Sequence, residues 1–353
     1  MIDKKFEKFI NNGNQNQFDY GPIKYKNKKI LVTGAAGSIG FGLCKQIAKI
    51  NPKLLVALDC GETELFYSEL ELREEFPNNK FIFKLLDIKD RIGVEALIKE
   101  TKPDIIFHAA AYKHISMLEE NPREAITNNI LGTKNLVISA NKHFVKKFIN
   151  ISTDKAANPI SVMGRSKRII EKMLLYGDYT NTKIIQVRFG NIIGSRGSVL
   201  PIFQQQILKG GPVTVTDDKM IRYFITVEEA VYLSLYASKI GENKKIYLLE
   251  MGEPVKIIDL ADKLIRAYGF TPGKNFRISI TGKKPGEKYS EELFVKEKEI
   301  LEKTPVDKIN IVKNKSEIPK NYTKKVDDLI EYSLKNTNKE SIKKRLSLLA
   351  KDN

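Results

Sequence analysis

The sequence predicts a doubly wound parallel α/β sheet with a smaller mixed α/β cap. Three observations predict it. Short apolar runs alternate with longer periodic ones from Lys28 to Asn191, a glycine-punctuated turn follows the first apolar run, and the regular alternation stops after Gly197. Strands buried on both faces read as continuous apolar runs, and parallel neighbours need crossover helices between them.

The elements follow in order. Residues 1–27 form an Asn- and Gln-rich arm, with a short helix expected at "KKFEKFI". "KKILVTG" is the first strand and "SIGFGLCKQIAKI" its helix. "LLVALD" and "ELFYSELELREEF" are the second pair, "KFIFKLLD" and "GVEALIKE" the third, "DIIFHAAA" and "AITNNILGTKNLVISANK" the fourth. "KKFINIST" and "GRSKRIIEKMLLYG" make the fifth, and "KIIQVRFGN" is the sixth strand. Residues 28–197 are thereby expected to form a nucleotide-binding domain. Residues 198–353 are expected to be mainly the substrate-binding part, ending in a lysine-rich tail. Helices near 199–209, 227–240, 256–268 and 323–348 are read as its cap, and no internal repeat is visible.

Composition narrows the function. A chain of 353 residues suits one large domain or two closely joined ones. No stretch approaches the roughly 20 apolar residues that span a bilayer, and the polar start "MIDKKFEKFINNGNQNQ" lacks a signal peptide's apolar segment, so a soluble cytoplasmic protein is expected. Cys44 and Cys60 fit a reducing compartment with no disulfide framework and no metal-ligand spacing. The net charge of +17 invites a nucleic-acid partner. About half of that excess lies at the chain ends, with +4 in residues 1–30 and +5 in residues 301–353, and no nucleic-acid motif accompanies it. A lysine-heavy solvated periphery is the simpler reading, with attraction of an anionic nucleotide or an acidic membrane surface left open.

"VTGAAGSIG" places Gly34, Gly37 and Gly40 between a strand and a helix. The first glycine permits the tight turn, the second lets a pyrophosphate approach the backbone, and the third lets helix and strand pack closely. The phosphates would rest on the helix N-terminus. Asp59 ends the next strand 19 residues after Gly40, where a carboxylate binds both hydroxyls of an adenosine ribose and repels a 2′-phosphate. The expected cofactor is therefore NAD rather than NADP, in a Rossmann-type sheet. Asp87 is placed to meet the adenine, and Ala109, Ala110 and Ala111 leave room for the cofactor. The G-x-x-G-x-x-G spacing and this alanine run resemble the extended short-chain dehydrogenase/reductase superfamily.

Longer motifs sharpen the resemblance over about residues 28–295. "HAAAYKHISMLEENPREAITNNILGT", "STDKAANPISVMGRSK", "RFGNIIGSRGSVLPIF", "GGPVTVTDDKMIRYFITVEEAV" and "KKPGEKYSEEL" are similar to UDP-N-acetylglucosamine 4,6-dehydratases of the polysaccharide-biosynthesis group. One position departs from the superfamily pattern. Where a tyrosine would stand four residues before Lys167, this chain has Met163, a variant that the resemblance associates with larger, often membrane-anchored, configuration-retaining enzymes. The chain looks like their catalytic part.

The resemblance implies a lyase that borrows and returns a hydride. Oxidation at C4 acidifies the C5 hydrogen, the C6 hydroxyl leaves as water, and the hydride returns to C6. Thr153, Asp154 and Lys155 are then the elimination machinery, with Asp154 as acid to the C6 oxygen and Lys155 as base at C5, while Lys167 holds the nicotinamide ribose. With Met163 unable to take a proton, a relay through Thr153 or a water to Asp154 is expected at C4. Ser38, Ile39, Ile88, Lys113 and Asn129 complete the implied cofactor site. For the sugar nucleotide, the resemblance implies Lys113, His114 and Asn191, with Ser195, Arg196, Ser198 and Val199 near the diphosphate. It adds Thr214 and Thr216 at the uracil, Arg222 at phosphate and Glu287 at the uridine ribose. A nucleotide-sugar substrate and a homo-oligomer are the expected partners, with no nucleic acid and no transmembrane segment in this chain. A GDP-sugar dehydratase, a C5-inverting dehydratase or epimerase, and an NAD-binding regulatory protein with a vestigial site remain alternatives.

Overall fold

The computed structural model describes residues 23, 25–315 and 321–351. Most of the expected N-terminal arm, including the helix at "KKFEKFI", lies outside the described residues. Among the described residues no helix is long and apolar enough to cross a membrane.

Fifteen strands are present among the described residues: β1 (Lys29–Thr33), β2 (Leu54–Asp59), β3 (Phe81–Leu85), β4 (Ile105–His108), β5 (Lys147–Thr153), β6 (Lys183–Phe189), β7 (Asn191–Ile192), β8 (Val213–Val215), β9 (Ile221–Arg222), β10 (Phe224–Ile225), β11 (Lys245–Leu249), β12 (Val255–Lys256), β13 (Ile278–Ile280), β14 (Glu299–Lys303) and β15 (Ile309–Asn314). Nine of them form one sheet in the order β14-β15-β11-β6-β5-β4-β1-β2-β3. From β3 to β11 all neighbours pair in parallel, and β15 and β14 add an antiparallel edge. Chain order reverses between β1 and β4, which opens a crevice at their carboxyl ends.

Both faces of this sheet are buried, as the continuous apolar strands require. Ile30 and Val32 point into one core, where α1 (Ser38–Ala48) and α2 (Glu62–Glu75) pack. Leu31 points into the other, with α3 (Arg91–Thr101). Behind the short α4 (Ile115–Glu120), a turn of helix at Pro122–Glu124 and a π-helical stretch Ala125–Leu131 lead into α5 (Gly132–Lys142) on that second face. α6 (Val162–Tyr176) begins at Ser161, whose side chain accepts from the Gly164 N–H.

The region expected to be the cap divides. α7 (Val199–Leu208) and α9 (Ile257–Ala267) share a separate small core with β8, closed by Leu200, Phe203, Val213, Leu260 and Phe276. By contrast, α8 (Val227–Ile240) packs on α1 through the first core, and β11, β15 and β14 extend the main sheet, β11 bringing the buried apolar residues Ile246, Tyr247, Leu248 and Leu249. The helix expected over 323–348 is two: α10 (Tyr322–Lys335) and α11 (Lys339–Ala350), broken where Asn336 turns extended and the Asn338 side chain caps the second by accepting from Ser341 N–H. Both cover α6 and the second core rather than the crevice.

The C-terminal strands are tied to the sheet by a buried charge network. Arg188 on β6, fully buried, donates from Nη2 to Glu171 at 2.8 Å and from Nη1 to Glu299 at 3.1 Å, and Arg168 reaches Glu299 at 3.1 Å. The two guanidinium groups hold Glu299 below the usual carboxylate range despite its burial. Removing one partner of such a network strands the others in low dielectric. Arg188→Met is therefore expected to lower the unfolding free energy by about 3–5 kcal/mol, measured by urea denaturation at neutral pH. Because Glu299 has a depressed folded pKa, this stabilisation is present above its unfolded pKa of about 4.3 and is lost as pH falls through the folded value. The wild-type and variant curves should converge on acidification.

Candidate active site

The crevice is a cleft of about 1130 Å³ at the carboxyl ends of the strands, between the main sheet and the α7/α9 cap. Its floor is the turn after β1. Gly34 has φ +67° and lies so close to the next strand that a Cβ there would stand 2.7 Å from the Ala110 nitrogen; a Cβ on Gly40 would stand 1.9 Å from the Gly34 oxygen. Gly37 caps α1 with no side-chain bond, and no acidic residue occupies the first turn, so the amides of that turn are open to an anion. Gly34, Gly37, Ser38, Ile39 and Gly40 all line the cleft, with Ala109 and Ala111 opposite.

Asp59, Asp87, Ile88, Ala110 and Asn129 do not line it. Asp59 accepts from Ala36 N–H (2.9 Å) and Gly61 N–H (3.0 Å), bracing the glycine turn from the side. Asp87 accepts from Lys89 N–H and pairs with its ammonium, Ile88 packs on Gly132, and Ala110 backs Gly34. Asn129, fully buried, accepts from Tyr112 N–H (2.8 Å) and donates to Tyr112 O and the Ser166 hydroxyl, latching the loop after β4 to the helices behind it. His108 spans Thr33 and Thr133 in the core. Burial, aided by the nearby Lys167 charge, pulls its pKa down to about 3.

At the end of β5, residues alternate in direction. Thr153 and Lys155 face the cleft, while Asp154 turns inward with its side chain sealed from solvent. Asp154 Oδ1 accepts from the Thr153 hydroxyl (2.8 Å), Lys155 N–H (2.8 Å) and the Lys155 ammonium (2.9 Å). Its Oδ2 is buried without a hydrogen-bond partner beside Gly190. This corrects the expectation that Asp154 opens directly onto substrate: strand alternation and the 3-10 turn at Asp154–Ala156 put it behind Lys155. The Lys155 ammonium also donates to Asn191 Oδ1 (2.8 Å).

Met163 and Lys167, one helical turn apart on α6, both line the cleft. Lys167 is buried and donates to Ile151 O at 3.0 Å; burial pulls its pKa down to about 8, with Glu171 opposing. Lys113, lowered by burial, reaches Ser195 and the Arg196 carbonyl, and Arg196 N–H donates to the Ser38 hydroxyl, joining the cap loop to the glycine turn. His114 packs its ring on Gly197, and its pKa is lowered by burial and then by Lys113. Ser198, Val199, Thr214 and Thr216 line the far end. Thr214 is held by Gln206, Arg222 donates to the carbonyls of Ile221 and Tyr289, and Glu287 accepts from Lys284 N–H.

Sequence reasoning passed over Tyr112, Met117 and Glu124 on the β4 side and Ile202, Met220 and Lys284 on the cap side, all of which line the cleft. It also passed over Glu291, a buried carboxylate raised by desolvation against the pull of Lys155. Only its place in "KYSEEL", four residues after Glu287, could have signalled it.

The strand order, glycine turn and cleft define the extended short-chain dehydrogenase/reductase fold of nucleotide-sugar epimerases and dehydratases. The chain belongs to the polysaccharide biosynthesis protein family, whose model matches residues 30–314. It is 46% identical over 275 residues to the probable polysaccharide biosynthesis protein EpsC of Bacillus subtilis, an alignment covering 77% of this chain and 46% of that protein. The chain thus spans about half the length of that relative. Among solved structures it is similar to Pen from Bacillus thuringiensis (TM-score 0.74, 32% identity, 83% of this chain and 89% of that one). It is also similar to a UDP-glucose 4-epimerase from Thermus thermophilus in complex with NAD (TM-score 0.64, 25% identity, 75% and 89%).

The glycine contacts give a direct test of this site. Gly40→Ala must force the Gly34 carbonyl away and is expected to lower the melting temperature by several degrees, about 2 kcal/mol or more. Gly37→Ala, with φ −75° and a 3.2 Å approach, should keep close to the wild-type melting temperature in the same thermal scan.

Proposed function

We propose that this chain is an NAD-dependent nucleotide-sugar 4,6-dehydratase, acting on UDP-N-acetylglucosamine with retention at C5. The supporting observation is that Thr153 and Lys155 line the cleft with Met163 while Asp154 sits behind them, hydrogen-bonded to both: the groups able to move protons stand at the end of β5 and none stands at 163. The uncapped α1 N-terminus, the Gly34 cradle and the nearby Asp59 fit a dinucleotide without a 2′-phosphate. When bound, NAD supplies the hydride acceptor at C4 and the hydride donor at C6.

The protein's own groups move the protons. Thr153 relays the C4 hydroxyl proton to the Asp154 carboxylate, which it already contacts. Lys155, in its neutral form, takes the C5 proton. Asp154 then returns its proton through Thr153 to the C6 oxygen, which leaves as water, and Lys155 gives its proton back to C5 on the same face. The balance closes at one water lost per sugar. Asp154 works from behind this pair rather than in contact with the sugar. Its Oδ2 has no hydrogen-bond partner, which leaves one acceptor position open for the relayed proton. Lys167 holds the nicotinamide ribose, and Asn191 aims the Lys155 amine. Lys113, Ser195 and Arg196 receive the diphosphate, Arg222 pairs with phosphate, and Thr214, Thr216 and Glu287 receive the uridine.

Incubation of the purified chain with UDP-N-acetylglucosamine, without added cofactor, is expected to yield a product lighter by one water in mass spectrometry. Asp154→Asn should fold and retain NAD while turnover falls at least about 100-fold, the lower range for losing a general acid or base. Near-normal turnover in that variant would remove the assignment. A 4-epimerase reading draws on the likeness to the Thermus epimerase. It predicts instead a product of unchanged mass and full activity without Asp154 as a proton carrier.

A further inference from the structure

The seven parallel strands all begin at one edge of the sheet, opposite the cleft. At six of the seven, the first residue or the one before it is lysine: Lys29, Lys53, Lys80, Lys147, Lys183 and Lys245. The seventh, β4, follows Asp104, whose carboxylate is already paired with Lys28 and Lys146 from the same edge. Lys53, Lys80 and Lys183 are exposed; the pKa of Lys147 is lowered mainly by burial and then by the neighbouring Lys183 charge.

Crossover helices end at this edge too, and the partial negative charge of their C-termini favours nearby cations. That accounts for part of the lysine but not for Phe144. This ring lies in the turn between α5 and β5, a central strand, with φ +57° and 71% of its surface exposed, between Lys142 and Lys146 in sequence. Ile138, one helical turn before Lys142, is also exposed. A bare aromatic within a cationic field suits the boundary of a bilayer, where lysines meet anionic headgroups and the ring enters the interface. Duplex nucleic acid would engage the lysines through its phosphates and leave the ring in water.

We propose that this lysine edge, with Phe144 as its apolar anchor, docks on an anionic lipid surface. The cleft, at the other ends of the same strands, then faces away from the bilayer and stays open to soluble nucleotide. The docking is peripheral and reversible, and it is independent of the reaction performed in the cleft.

The test is co-sedimentation of the full chain with vesicles of phosphatidylcholine alone or mixed with phosphatidylglycerol. Binding is expected only to the mixed vesicles and should weaken as salt rises. Lys53→Glu with Lys80→Glu should reduce it at least about tenfold. Phe144→Ser should reduce it about three- to tenfold while leaving binding to a duplex oligonucleotide unchanged. All three sites are exposed, so unchanged melting temperatures are expected to accompany these losses. No binding to the mixed vesicles at low salt would overturn the proposal. So would vesicle binding indifferent to Phe144, or a duplex oligonucleotide that binds more tightly than the mixed vesicles.

Discussion

One backbone contact governs the architecture: the turn after β1 lies against the chain leaving β4 with no room for a side chain at Gly34 or Gly40. Those two strands are sheet neighbours although β2, β3 and their helices intervene in sequence, so the contact occurs where chain order reverses. The helix that follows must start there with its amides exposed, and the cleft is the space above them. Asp59 braces the turn from one side and Asn129 fixes the β4 loop from the other.

A second constraint is charge kept inside the molecule. Two guanidinium groups and two carboxylates are buried together where β6, α6 and β14 meet, and none could be tolerated there alone. Glu171 also accepts from the Ser152 hydroxyl at 2.6 Å, one residue before Thr153. The network that holds the C-terminal strands therefore also ends on β5, beside Thr153. α10 and α11, which follow the matched family segment, pack on α6 through the second core, while Met163 and Lys167 of that helix line the cleft.

Much of this was legible in the residues. The six strands and their crossover helices follow from apolar runs whose length and flanking glycines are local properties, and the nucleotide turn follows from glycine spacing. Lys155, Met163, Lys167, Asn191 and Arg222 line one cleft, although Asn191 and Arg222 are remote from α6 in sequence. The tail was read less well. Beyond β6 only helices are legible along the chain, because nothing local says that β6 leaves an edge for β11 to extend. Likewise the lysines at the strand starts are scattered in sequence and gather only because parallel strands share a direction.

The sequence by itself determined the fold class, the glycine turn and the run of titratable residue types at the end of β5, since each depends on neighbours within a few positions. Only the tertiary structure decided which of those groups meet solvent. Asp154 lies beneath Lys155, Asp59 and Asn129 brace the cleft without lining it, and Glu291 is buried within reach of the Lys155 charge. Burial and direction arise from packing between segments distant in the chain, and no run of adjacent residues encodes them.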